Sequence, residues 1–216
     1  MDSDSAVVRH SAPELLEIQM ATLLEFDERG RIRAPGPRVF VSACPGVRLV
    51  ALREDIPAAL ARRWAACGDD ELRDQVEAQA PVTSEYRGPA YLLPPLAPGG
   101  KETVAMTASV PIHPELVERG WKDDEDGPYF GVVRDGMAVS LCYSARWGPQ
   151  AAEAGVETAP SYRGRGLVVH AVRAWAAAVQ ASGRLALYST QWSNEPSRRV
   201  AAKLGGIEYG ENWHLT

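Results

Sequence analysis

Two arginines and two glycines, Arg163-Gly164-Arg165-Gly166, stand directly before a run with helical periodicity. In that run Leu167, Val168, Ala171, Val172, Trp175, Ala178 and Val179 follow one face, and Gly183 stands where a helix stop belongs. The spacing predicts a helix starting at about Gly164 to Gly166. The first amides of a helix lack internal partners and carry roughly half a positive charge. Glycines let an anion approach that backbone closely, and the arginines add charge, so the stretch has the chemistry of an anion site. The pyrophosphate of a nucleotide-like cofactor is its natural occupant. A Walker loop is excluded because GxxxxGK[ST] is absent, and the dinucleotide pattern GxGxxG fails at its third glycine, where Val169 stands. The other reading of these residues alone is an exposed, well-capped helix start with arginines at its rim.

An anion loop works only where other elements hold it. Upstream, the pattern predicts a helix over 14–29, strands at RVFVSA and VRLVALR around Cys44-Pro45-Gly46, a helix from about Ile56 to Gly68, and a short one through ELRDQVEAQ. Pro and Gly crowd the stretch YLLPPLAPGGK, which reads as a linker between domains at 94–100. Beyond it come a strand through ETVAMTASV, helical turns in HPELVERGW, and KDDEDG as an acidic surface loop. A strong hairpin follows around Asp135-Gly136, with a third strand through AAEAGVETA. Gly155 inside that strand signals a bulge or a close backbone approach. After the loop and its helix come a strand LALYSTQW, a helix EPSRRVAAKL and a short terminal pair around IEYGENWHL.

The chain has 216 residues, 45% of them hydrophobic and 24% charged, which is ordinary for a globular protein with a sizeable core. Its net charge of −5 argues against nucleic acid or anionic membrane as a partner, so any basic site is local. There is no apolar run long enough to span a bilayer, and the acidic N-terminus is unlike a signal peptide, so a cytoplasmic location is expected. The scattered Cys44, Cys67 and Cys142 and the four histidines show no disulfide or metal spacing, and no metal is expected.

The loop and its neighbours resemble the GNAT superfamily of N-acetyltransferases. Arg163-Gly164-Arg165-Gly166-Leu167-Val168 is similar to the family's acyl-CoA pyrophosphate loop, Q/R-x-x-G-x-G/A. Upstream, Ala152-Glu153-Ala154-Gly155, then Thr158-Ala159-Pro160 and Tyr162-Arg163-Gly164, match its strand and loop in residue count. Downstream, Asn194 opens a helix with Ser197 and ending Lys203-Leu204-Gly205. The resemblance covers roughly residues 101–216 and does not reach the first hundred. Two positions depart from the pattern: Val168 stands where the family prefers Gly or Ala, and Ala201 where a tyrosine often serves as general acid.

The resemblance implies an α/β fold with a mixed, mostly antiparallel sheet and a V-shaped splay between central strands. An N-terminal α+β domain over 1–93 would precede an acetyltransferase domain over 101–216. It implies acetyl-CoA as cosubstrate and transfer to a primary amine of a small-molecule acceptor. Cofactor contacts would come from Val156, Thr158, Arg163, Gly164, Arg165, Gly166, Leu167, Val168, Asn194 and Ser197. Asn194 is also a plausible N-cap, with Ser193 able to take over that task. For the base, Glu153 matches the family glutamate, and Glu157 falls on the same face of a regular strand. A carboxylate buried beside the reacting carbonyl has its pKa raised, which suits a base near neutral pH. For the acid the candidates are Tyr188, Ser189, Tyr143 and Cys142, and alternation lets only one of Tyr188 and Ser189 face the site. Trp147, Trp192 and Trp213 either wall the acceptor pocket or pack at sheet edges. The N-terminal half is a second pocket wall, a lid, a homodimer surface or a diverged copy of the fold. A catalytically silent CoA-binding module and a transferase using another acyl-CoA are the rival functions.

Overall fold

The computed structural model describes residues 10–98, 103–107, 109–118 and 127–216. Most of the acidic KDDEDG loop and the Gly99-Gly100 end of the expected linker lie outside the described residues. Nine strands form one sheet in the order β2-β1-β9-β3-β8-β7-β6-β5-β4. They are β1 (Val39–Cys44), β2 (Val47–Leu52), β3 (Glu85–Leu92), β4 (Thr103–Ala105), β5 (Tyr129–Arg134), β6 (Met137–Trp147), β7 (Ala151–Thr158), β8 (Leu185–Ser189) and β9 (Ile207–Leu215). The helices are α1 (Ala12–Leu23), α2 (Ala58–Ala66), α3 (Asp69–Gln79), α4 (Pro114–Val117), α5 (Leu167–Ala181) and α6 (Glu195–Lys203). All strand pairs are antiparallel except β7 with β8, which are joined through α5 as a parallel pair requires.

The helices cover two faces. On one, the buried stripe of α5, with Trp175 and Val179 fully enclosed, packs on Ala152, Ala186 and Tyr188 of the central strands. The same face carries Trp64 of α2 and Leu72 and Val76 of α3 against Val39, Val41, Trp213 and Leu215. The opposite face is covered by α1, whose Leu15, Leu16 and Ile18 meet Ala90, Ala151 and Leu187. Strand alternation sorts the residues between these layers, so Phe40 joins the α1 side while Val39 and Val41 join the other.

Several sequence expectations need correction. The 94–100 segment does not divide two sheets: β3, before it, lies between β9 and β8, both after it. The N-terminal strands thus extend the same sheet as the loop-bearing half. No strand is expected over β3 in the sequence, where Gly88 and Pro89 interrupt the alternation. The carbonyl of Pro89 accepts from Thr190 N, so its missing N–H faces the side where β8 pairing ends and β9 loses no bond. Gly88 is required by crowding, since a Cβ there would meet the Thr190 carbonyl oxygen at 1.8 Å. The first helix ends at Leu23, short of the expected 29, and the terminal pair is one strand, β9. Gly155 marks a close approach, not a bulge in its own strand: its Cβ would strike the Tyr143 ring at 2.3 Å. The irregularity lies instead in β6, between Ser144 and Arg146.

Candidate active site

The parallel pair β7–β8 is short. It runs from Ala151↔Leu185 to Glu153↔Leu187, and beyond that point β8 follows β3 while β7 stays with β6. The sheet therefore opens into the expected V. Ala159 N donates to Val139 O on β6, and alternation then turns the amides of Val156 and Thr158 the other way, into the opening.

A cavity of about 610 Å³ fills the α5–α6 side of this opening. Val156 and Thr158 of β7, Arg163, Gly164 and Gly166 of the loop, Leu167 and Val168 at the start of α5, Asn194 before α6 and Ser197 within it all line it. Gly164 and Gly166 adopt φ of +76° and +73°, and a Cβ at either would meet open space, so backbone conformation alone demands glycine. Gly166 is the N-cap of α5, which leaves the first amides of that helix facing the cavity mouth without a side-chain cap. The loop is anchored from outside the motif by Glu115 of α4, whose carboxylate accepts from Ser161 N at 3.0 Å and Ser161 Oγ at 2.9 Å. These bonds hold the Glu115 carboxyl below the usual carboxylate range.

Arg165 is the one predicted cofactor residue that does not line the cavity. Its guanidinium lies over the Tyr162 ring at 5.0 Å and donates to the Ser161 carbonyl. Arg199 and Lys203 line the cavity in addition, Arg199 paired with Glu195. Asn194 Oδ1 accepts from Ser197 N, so in this structure it is Asn194 and not Ser193 that caps α6.

The two candidate bases separate. Glu157 lines the cavity and is paired with Arg163 at 3.0 Å, which makes it a support of the loop. Glu153 sits at the apex of the V on the α1 face, 5% exposed. Its carboxylate accepts from Ser189 Oγ at 2.7 Å and from Gln19 Nε2 at 3.1 Å. Burial raises its pKa, and those two hydrogen bonds oppose the rise. Such a carboxyl is a base of increased strength in a dry setting.

The acid candidates divide by face. Tyr188 projects into the cavity, its hydroxyl 2.6 Å from Ser197 Oγ, and burial pushes its pKa up to about 12, so it keeps its proton. Ser189 faces Glu153 instead. Cys142 is sealed in the α5 core with its thiol pKa raised by burial, and the Tyr143 ring lies against Gly155. Ala201 is fully buried in that core. The tryptophans pack: Trp213 against α2 and α3 with Nε1 on Glu85, Trp147 beneath Arg184, and Trp192 bonded to Glu211 at the surface.

The motif reading does not reach Gln19, which joins Glu153 from α1. Its signal was present: a glutamine on the stripe formed by Leu15, Leu16, Ile18 and Thr22, fully buried with them.

The model of the acetyltransferase (GNAT) domain family matches residues 54–207. The chain belongs to the GNAT acetyltransferase family. The match begins well before residue 101, consistent with β3 being a member of the GNAT sheet. Among solved structures, a GNAT-family protein from Novosphingobium aromaticivorans is 24% identical over 62% of this chain and 65% of its own, with a TM-score of 0.52. A GCN5-related N-acetyltransferase-like protein from Streptococcus suis is 12% identical over 89% and 88%, with a TM-score of 0.53. At these identities the likeness is one of fold, and the chain spans just under two thirds of the length of the first. A search of curated protein sequences finds no match. Among the described residues, no cluster of metal-ligating side chains occurs and no helix is long and apolar enough to cross a membrane.

Proposed function

We propose that this GNAT protein moves an acetyl group from acetyl-CoA to a primary amine of a small-molecule acceptor by direct transfer, with Glu153 as general base. One observation carries the reading. The sheet opens between β7 and β8 with an uncapped, glycine-flanked helix start on one face and a buried carboxylate at the apex on the other. The cavity fits the cosubstrate: uncapped helix amides and arginine stand at its mouth, and apolar Val156, Leu167 and Val200 line its interior. Acetyl-CoA would supply the acyl group as an activated thioester.

The chain's own residues divide the work. The Gly164–Gly166 backbone and the α5 amides receive the pyrophosphate. The Val156 and Thr158 amides point where a carbonyl oxygen gathers charge, and such donors are typically worth about 3 kcal/mol each. Glu153 takes the amine proton, directly or through one water. The Tyr188 hydroxyl holds a proton for the departing sulfur, doing the work of the tyrosine that Ala201 replaces.

Binding and turnover test the reading separately. Acetyl-CoA at ~100 times its dissociation constant should stabilise the fold by about 2.7 kcal/mol, seen as a rise in Tm. CoA and desulfo-CoA should act similarly, because the loop holds the shared pyrophosphate. No response to any of the three would remove the cofactor assignment. Free-thiol release with amines, amino acids, polyamines or aminoglycosides then separates an enzyme from a silent CoA-binding module, and longer acyl-CoA donors test the acyl group. In Tyr188→Phe, kcat should fall roughly tenfold, a small loss for general acid catalysis, because a thiol of pKa about 8.5 leaves readily. The KM for acetyl-CoA should stay nearly constant, and an unchanged kcat would take the proton from solvent instead.

A further inference from the structure

The polar groups beneath α1 form one directed chain. Ser42 Oγ donates to Asn212 Oδ1 at 2.6 Å, Asn212 Nδ2 to Gln19 Oε1 at 2.8 Å, and Gln19 Nε2 to Glu153 Oε2 at 3.1 Å. Ser42, Gln19 and Asn212 are each 1% exposed or less, whereas polar side chains of these types usually face solvent. The direction is forced. An ionised carboxylate only accepts, so Gln19 must offer it the amide N–H. Its carbonyl then needs a donor, which Asn212 supplies, and the Asn212 carbonyl is filled in turn by Ser42.

We infer that Gln19 is the positioning residue for Glu153, held in its donating orientation by Asn212 and Ser42, and that this chain favours the ionised form of the buried carboxyl. The inference rests on the reading of Glu153 as base. It gives the N-terminal segment a task in the active site: Gln19 and Ser42 both precede the residues 54–207 that match the family model. Without the amide, only Ser189 would oppose the effect of burial on Glu153, and the carboxyl would hold its proton to higher pH.

The other groups around Glu153 leave the second oxygen to Ser189 and bring no competing charge change near neutral pH. Ser189 of β8 donates to the second carboxylate oxygen and also opposes the rise in its pKa, so Gln19 governs one oxygen and Ser189 the other. Tyr86 of β3 and Tyr209 of β9 face the same layer, and burial raises both, so they stay protonated. His214 of β9 is stacked between Phe40 and Tyr86, and burial lowers its pKa. Arg146, opposite Glu153 on β6, donates to the Leu23 and Ala145 carbonyls.

The test measures the titration of Glu153 in the full chain by carbon NMR of labelled glutamate carboxyls, beside the pH profile of kcat. Gln19→Met keeps the length and removes the amide. Asn212→Leu leaves Gln19 in place but frees it to turn. A hydrogen bond to a charged group is strong enough that Gln19→Met should raise the Glu153 titration by roughly one to two pH units. Asn212→Leu should raise it by less, and Ser42→Ala, the mildest variant, least. The acid limb of kcat should move with the carboxyl, with the KM for acetyl-CoA unchanged. Folded variants of reduced Tm in which Glu153 titrates as in the parent would overturn the inference and leave the chain a packing feature. A carboxyl that shifts while the kcat profile stays put would keep Gln19 as its positioner and remove Glu153 as base.

Discussion

Glu153→Gln should lower kcat by about 10²- to 10⁴-fold, the usual worth of a positioned general base, and leave acetyl-CoA affinity unaltered. The separation follows from the geometry, because Glu153 lies on the α1 face and is not among the residues lining the CoA cavity. The amide is accommodated, since its oxygen accepts from Gln19 as before and Ser189 turns to accept from its nitrogen. The same variant should gain stability with pH. The Glu153 pKa is raised above its ordinary value of 4.5 in the fold. Its contribution to stability is therefore fully present below that value and lost as pH rises through the raised folded pKa. The substituted amide has no proton to lose, so variant minus parent Tm should grow as pH rises from about 4 through the raised folded pKa. Parent-level turnover by the variant at neutral pH would transfer the base role to water. A Tm difference independent of pH would show that Glu153 titrates normally.

That trade between activity and stability explains why the fold places polar residues under α1. A carboxylate at the apex of the V is useful because it is dry, and dryness is what makes ionising it costly. The hydrogen bonds from Ser189 and Gln19 offset part of that cost without admitting solvent.

What could be read in the sequence and what could not divide along the same line. The glycine loop was legible because its pattern is local: two glycines that need positive φ, then a helical stripe, all adjacent in the chain. The hairpin at Asp135-Gly136, the strand with Glu153 and the Asn194 helix were legible for the same reason. Gln19 bonds a residue 134 positions away, and Asn212 reaches back 193 positions to Gln19, contacts no local pattern encodes. The proline and glycine density at 94–100 does not separate two sheets, because β3 before it pairs with β8 and β9 after it. Gly88 and Pro89 sit within β3, where the backbones of β3 and residue 190 press together and pairing with β8 is about to end. Once β3 was missed, the first ninety residues had no visible way into the sheet. Arg165 shows the converse limit: the motif puts it in the loop, yet Tyr162 and the Ser161 carbonyl turn its charge aside from the cavity.

Gly166→Asp should weaken acetyl-CoA binding by about 100-fold with the fold retained. The position is the N-cap of α5, at φ +73° with open space where a Cβ would stand. Aspartate is among the few residues that visit the left-handed region readily, so the backbone cost is modest. The new carboxylate would stand at the amides proposed to receive the pyrophosphate. At about 6 Å and an effective dielectric of 20, one unit of repulsion is about 2.8 kcal/mol, or roughly two powers of ten in the dissociation constant. Salt should relieve the defect in part, because the site is open to solvent. Gly46→Asp is the matching control: its φ of +80° and open surroundings impose the same backbone demand in the β1–β2 turn, remote from the cavity. Titration of acetyl-CoA by calorimetry should find the control unimpaired and the Gly166 variant weak. Equal affinity in both would place the pyrophosphate elsewhere than the start of α5. Equal weakening in both would trace the loss to general destabilisation and leave the charge argument without support.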